Sequence, residues 1–214
     1  MGKKDKTKDT AYELRSALIG LQNLVSEGSL DRSINGCRRL IKKEPLEPMP
    51  QNIYGVILAR LGRLREAERA FRKAVTLDKD YDEAWCNLGE LLIAIGNPNE
   101  AVQALLTCVR LMPESIQYRY QLGRALSSDG KKDQAIDAFN NVLSLDPEFV
   151  DAYANISKIL LDKGSSKEAL KYQKEAVNLS PTVWRLRLDL ARQFADLGLR
   201  SAALEQLIET IKLE

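Results

Sequence analysis

The chain has 214 residues, 32 of them basic and 30 acidic, for a net charge of +2. No global field therefore points to nucleic acid or to an anionic membrane. It contains no histidine, which removes the commonest general base, the commonest zinc ligand and every Ser-His-Asp or Cys-His arrangement.

In chain order, residues 1–13 are a Lys-rich segment expected to be flexible. No apolar stretch follows the first lysines, so the start does not read as a secretory signal. Lys6 stands where a myristoylation pattern needs Ser or Thr. No run of apolar residues is long enough to span a bilayer, and a cytoplasmic protein is expected, with any membrane association made through a partner.

From Leu14 onward the sequence repeats every thirty-four residues without insertion or deletion. The copies run over 14–47, 48–81, 82–115, 116–149, 150–183 and, shortened, 184–214, and together they define the expected domain, 14–214. A small residue fills the eighth slot of five copies: Gly55, Gly89, Gly123, Ser157 and Ala191. Another fills the twentieth: Ser33, Ala67, Ala101, Ala135, Ala169 and Ala203. Small side chains at fixed slots let two helices approach to about 8–10 Å. Glycine recurs at the fifteenth slot (Gly28, Gly62, Gly96, Gly130, Gly164, Gly198), as at a helix C-terminus. Pro45, Pro113, Pro147 and Pro181 close the second helix of their copies. Each copy therefore reads as two helices and a turn, unable to bury its apolar face except against a neighbour.

These slots resemble the tetratricopeptide repeat pattern. In the third copy it is met by Trp85, Leu88, Gly89, Leu92, Ala101, Leu105, Cys108 and Pro113. The departures are Gly20 and Leu21 in the first copy and Gln173, which replaces an aromatic. The resemblance covers residues 14–214 and implies an all-α fold, a right-handed α-solenoid whose concave groove is lined by the first helix of each repeat.

On that resemblance, slot six faces the groove and reads Ile19, Ile53, Asn87, Gln121, Asn155 and Asp189. The run Asn87, Gln121, Asn155 looks like the asparagine ladder of the O-linked N-acetylglucosamine transferase repeats. A carboxamide offers both a donor and an acceptor to a peptide unit, whatever its side chain. Slot nine gives the basic row Arg124, Lys158 and Arg192. Asp162 and Asp196 follow four residues after the last two, so intrahelical pairing is the simpler reading of those. With Arg185, the row also suits an acidic peptide or a free carboxylate. The dicarboxylate clamp of chaperone-binding members is disfavoured: over the last three repeats only Asn155 and Arg185 fit, and Asp189 would repel a carboxylate. Leu18, Ile19, Val25, Met49, Ile53 and Val56 predict an apolar N-terminal half of the groove.

Charge is uneven along the chain. The first two copies carry 13 basic and 8 acidic residues, the next two 5 and 10. Arg65, Arg69 and Arg72 share one helical face, read as a solvated surface with a Glu68–Arg72 pair. The last copy stops without the polar helix that usually caps the family, leaving Leu204, Leu207, Ile208 and Ile211 as a candidate self-association edge. Cys37 and Cys108 occupy packed slots, and Cys86 is expected nearer the groove.

The expected function is a protein–protein adaptor or scaffold holding an extended peptide, with protein or peptide partners and no nucleic acid. The alternatives are a homo-oligomeric scaffold built through the last repeat, as in magnetosome-associated members, and a substrate-recruiting segment of a larger enzyme such as a glycosyltransferase. No autonomous enzyme, cofactor or metal site is expected, because no nucleophile–base pair, phosphate loop or ligand cluster can be named.

Overall fold

The computed structural model describes residues 16–20, 23, 27 and 29–212. The expectations placed on residues 1–13, Leu21, Val25, Gly28 and the last two residues lie outside the described residues.

Two compact units divide the chain, Met1–Pro113 and Glu114–Glu214. In the first, a helical stretch over 16–20 precedes α1 (Leu30–Lys43), α2 (Pro48–Arg60), α3 (Leu64–Leu77), α4 (Asp82–Ala94) and α5 (Pro98–Leu111). In the second lie α6 (Ile116–Ser128), α7 (Lys132–Leu145), α8 (Val150–Asp162), α9 (Ser166–Leu179), α10 (Trp184–Asp196) and α11 (Arg200–Ile211). No strand occurs among the described residues.

Local chemistry sets the helix ends. After each first helix the chain turns through a glycine with φ between 72° and 79°, at Gly62, Gly96, Gly130, Gly164 and Gly198. At the first of these, Gly62 N–H donates to the Ala59 carbonyl (3.0 Å) and Arg63 N–H to that of Leu58 (2.9 Å). That reversed pair of bonds satisfies carbonyls the ended helix would orphan, and it needs the left-handed residue that glycine supplies. The same two bonds recur at the other four glycines. Pro48 and Pro98 open α2 and α5, where a missing N–H costs nothing.

Packing follows the period. Within the first unit α2 packs on α3, α4 on α5, and each pair on the next; α2 also touches α4. In the second unit α6–α7, α8–α9 and α10–α11 pair and stack likewise, with α6 touching α8. The small eighth slot is what permits it. A Cβ built on Gly55 would lie 2.6 Å from the Phe71 ring, one on Gly89 2.6 Å from Leu105 Cγ, and one on Gly123 2.6 Å from the Phe139 ring. Phe71 and Phe139 are fully buried there, each ring contributing about 1.5–3 kcal/mol by leaving water.

The apolar N-terminal groove is not open. Leu18 and Ile53 are buried with Ile34, Cys37 and Ile57, and Met49 packs against them. Apolar side chains that neighbouring helices can reach collapse onto one another rather than line a channel. Ile19 stands outside this core, 50% exposed.

Candidate functional site

The polar side chains on the first helices form two separate constellations, one in each unit. In the first unit Asn52 of α2, an almost fully buried residue, is held at both ends of its amide. Its Nδ2 donates to Tyr81 Oη at 3.1 Å, and its Oδ1 accepts from Asn87 Nδ2 of α4 at 2.9 Å. Burial, reinforced by Glu83, raises the pKa of the Tyr81 phenol, which therefore stays neutral. The chain Tyr81–Asn52–Asn87 fixes how Asn87 is turned: its nitrogen is engaged and its oxygen is left as an acceptor. Asn52 was missed in the slot-six reading, which fell on Ile53 beside it. The available signal was a carboxamide set directly before the apolar run of Ile53, Ile57 and Leu58.

In the second unit Asn155 of α8 is anchored in the same sense. Its Nδ2 donates to the Asp151 carbonyl at 2.7 Å and to Tyr120 Oη at 3.3 Å. Burial also raises the pKa of the Tyr120 phenol, with Asp151 adding to the shift. Gln121 departs from the expected ladder. It is only 4% exposed, and its Oε1 accepts from Arg124 Nη1 at 2.8 Å, so it serves as a support for Arg124.

Lys158 and Arg192 join Asn155 around a cavity of about 500 Å³ between α8 and α10, also lined by Leu161, Gln173, Asp189, Gln193 and Asp196. The simple pairing expected of the basic row does not form. Arg192 Nη1 bonds Asp189 Oδ1 at 3.2 Å, one turn back, instead of Asp196. Among the described residues Lys158 and Asp196 have no ion-pair partner. Arg185 stands apart, its guanidinium 5.5 Å from the centre of the Trp184 ring.

The remaining expectations fall on other surfaces. Arg72 pairs with Glu68 (2.8 Å) and also with Glu100 (2.6 Å), so it is less available to an anionic ligand. Leu204, Ile208 and Ile211 on α11 are 60%, 54% and 72% exposed, and Leu207 is 38% exposed. All three cysteines are free and buried, Cys86 included. Burial pushes the Cys37 thiol up to about 12, and contact with Cys108 together with burial raises Cys86. No cluster of metal-ligating side chains occurs among the described residues, and no helix there is long and apolar enough to cross a membrane.

Tetratricopeptide repeat family models match residues 58–126 and, separately, 22–81 and 120–183. No curated protein matches the chain in sequence. Among solved structures, MamA is 25% identical, covers 74% of this chain and 93% of its own, and superposes with a TM-score of 0.67. YrrB, a tetratricopeptide protein with an unusual peptide-binding site, is 20% identical over 83% of this chain and 92% of its own, with a TM-score of 0.64. PilF of Pseudomonas aeruginosa is 18% identical over 93% and 90%, with a TM-score of 0.78. The helix pairs, the repeating glycine turn and the packing of the small eighth slot against the large twenty-fourth (Phe71, Leu105, Phe139, with Gln173 in the fifth repeat) agree with these matches, which together cover well over half the chain: it is an all-α solenoid and belongs to the tetratricopeptide repeat family.

Proposed function

We propose that the protein is a cytoplasmic, non-catalytic adaptor that holds an extended peptide segment of a partner against the first helices of its repeats. One observation carries this reading. In each unit an asparagine on a first helix, Asn87 or Asn155, is anchored through its nitrogen, and among the described residues its carboxamide oxygen has no partner. Each is a fixed acceptor for a backbone N–H, the group every non-proline peptide unit offers. YrrB's peptide-binding site lends the reading a precedent on the same fold. Fold alone does not give function; the turned asparagines supply the chemistry.

The test is quantitative capture of partners from native lysate with wild type beside the Asn87→Ala/Asn155→Ala variant. Loss of two hydrogen bonds of about 1 kcal/mol each should weaken capture by about tenfold or more. Asn87→Ala also strips the buried Asn52 Oδ1 of its donor and should cost about 1–3 kcal/mol of stability, so capture is compared at a temperature where circular dichroism shows both proteins folded. Equal capture by both proteins overturns the reading.

A second reading rests on α11. Its exposed Leu204, Leu207, Ile208 and Ile211 fit an interface with another copy of the chain. Sedimentation of wild type and Ile208→Asp over a wide concentration range decides it: mass that rises with concentration only in wild type supports self-assembly, and a wild-type monomer throughout removes it.

A further inference from the structure

The helix α11 exposes four large apolar side chains, Leu204, Leu207, Ile208 and Ile211, and no other helix among the described residues exposes more than one. Leu204, Leu207 and Ile211 stand at slots twenty-one, twenty-four and twenty-eight. Those slots pack where a further repeat follows: Phe71 and Phe139 are buried at the twenty-fourth, Val75 and Val177 at the twenty-eighth. Ile208 is different. Its slot, the twenty-fifth, holds Arg38, Arg72, Asn140 and Lys174 in four earlier copies, and all stay exposed with the next repeat packed in place. Leu106, in the third copy, is exposed there too. A further repeat would therefore leave Ile208 in water. The apolar face is wider than the stacking of repeats can use, so its cover belongs to another molecule.

Two pairings with a second copy are open, and the first repeat decides between them. A head-to-tail pairing would lay α11 on the outer side of the other copy's first repeat and continue without closing. In the sixth copy that side, slots three, seven and ten, is Leu186, Leu190 and Gln193. All three meet the preceding repeat: Leu186 through its carbonyl to Gln173, Leu190 in the cluster with Val177, Gln193 by its bond to Ser157. In the first copy the same slots are Ser16, Gly20 and Asn23, and all three are exposed. Leu24, at slot eleven, is the one large apolar residue the sequence sets beside them. An apolar ridge laid there would bury a hydroxyl and a carboxamide and gain little apolar contact.

We infer that α11 pairs with α11 of a second copy, antiparallel about a two-fold axis near Leu207 and Ile208. The inference deepens the self-assembly reading and rests on it. The face is self-complementary in that arrangement, as a closed two-fold interface requires. Turning the helix end for end sets Leu204 against the second copy's Ile211, and Leu207 against its Ile208. The formal charges of α11 and its C-cap, Arg200 and Lys212 against Glu205 and Glu209, cancel, so two copies meet without net repulsion. Arg200 then lies by the C-terminal end of the second copy's helix, where a cation is favoured. Lys212 is already taken up by its own Glu209 at 2.6 Å. A parallel pairing would instead set Arg200 beside Arg200 and align the two helix dipoles.

Single cysteines introduced into the full chain test the register, since the native thiols are buried. About the proposed axis, residue 204 of the two copies is offset by about 10 Å along the helix, beyond the reach of a disulfide, whereas residue 208 meets itself. Under mild oxidation Ile208→Cys should link to itself. Leu204→Cys and Ile211→Cys should each stay unlinked alone and should link to one another when mixed. In sedimentation, wild-type mass should rise with concentration to that of a dimer and stop there, while Ile208→Asp stays a monomer. All of these positions are exposed, so the variants should fold, which circular dichroism checks. Self-linking of Leu204→Cys, or failure of the mixed pair to link, overturns the inference. Mass that climbs past a dimer and is lost in Ile208→Asp overturns it as well, yet leaves the self-assembly reading standing. A dimer that survives Ile208→Asp, or a wild-type monomer up to about 1 mM, sinks both.

Discussion

The fourth and fifth repeats put the same two positions to opposite uses. In the fourth, Gly123 lets the Phe139 ring lie flush against α6, so close that a Cβ would fall 2.6 Å from the ring. In the fifth, Ser157 brings a Cβ and a hydroxyl, Gln173 stands where the ring would be, and Gln193 closes a hydrogen-bonded cluster with one acceptor left over. The backbone course is the same in both: thirteen-residue first helix, left-handed glycine, fourteen-residue second helix. Fold in this chain therefore depends on size at slots eight and twenty-four taken together, while the chemistry of that pair is free to vary. Where it turns polar, close packing gives way and a cavity opens.

Three changes sharpen the contrast. The largest effect is expected from Phe139→Ala, which leaves a void in the apolar joint and should cost about 3–5 kcal/mol, read by thermal or urea unfolding. Gln173→Ala, at the polar joint, should cost clearly less; equal losses would mean the two joints are packed alike. Next comes Tyr81→Phe, in the other unit. It strips Asn52 Nδ2 of its acceptor and should cost about 1–3 kcal/mol. The same phenol carries a pH signature. Its folded pKa is raised, so its share of stability is complete below the unfolded value of about 10 and is lost as pH rises beyond it. Tyr81→Phe should flatten that alkaline decline, and an unchanged pH profile would show that the phenol is not held as described. The smallest effect is a gain: Gln193→Leu removes the orphaned acceptor and should stabilise the protein by about 1 kcal/mol.

Much of this architecture was legible in the residues. The recurring glycine announces a helix stop because few other residues adopt a left-handed turn without strain, and a thirty-four-residue spacing shared by so many slots marks a stack of like units. Asn87 and Asn155 were legible as carboxamides on an inner face. Which end of each amide is engaged was not, because that depends on Asn52, Tyr120 and the Asp151 carbonyl, partners fixed only when helices stack. Asn52 escaped for a related reason: its partner Tyr81 lies 29 residues away, outside any single helix pattern. Lys158 and Arg192 misled because i,i+4 spacing permits a pair without requiring one, and exposed pairs contribute too little to compel it.

The three buried thiols have a consequence of their own. Cys37, Cys86 and Cys108 all belong to the unit Met1–Pro113. Burial withholds both access and the thiolate, so an alkylating reagent added to the native protein can react only as that unit opens. The labelling rate is a clock for half of the molecule. Substitutions in α8 to α11 that leave the clock unchanged would show that the two halves open independently. A shared change would show that the two halves open together.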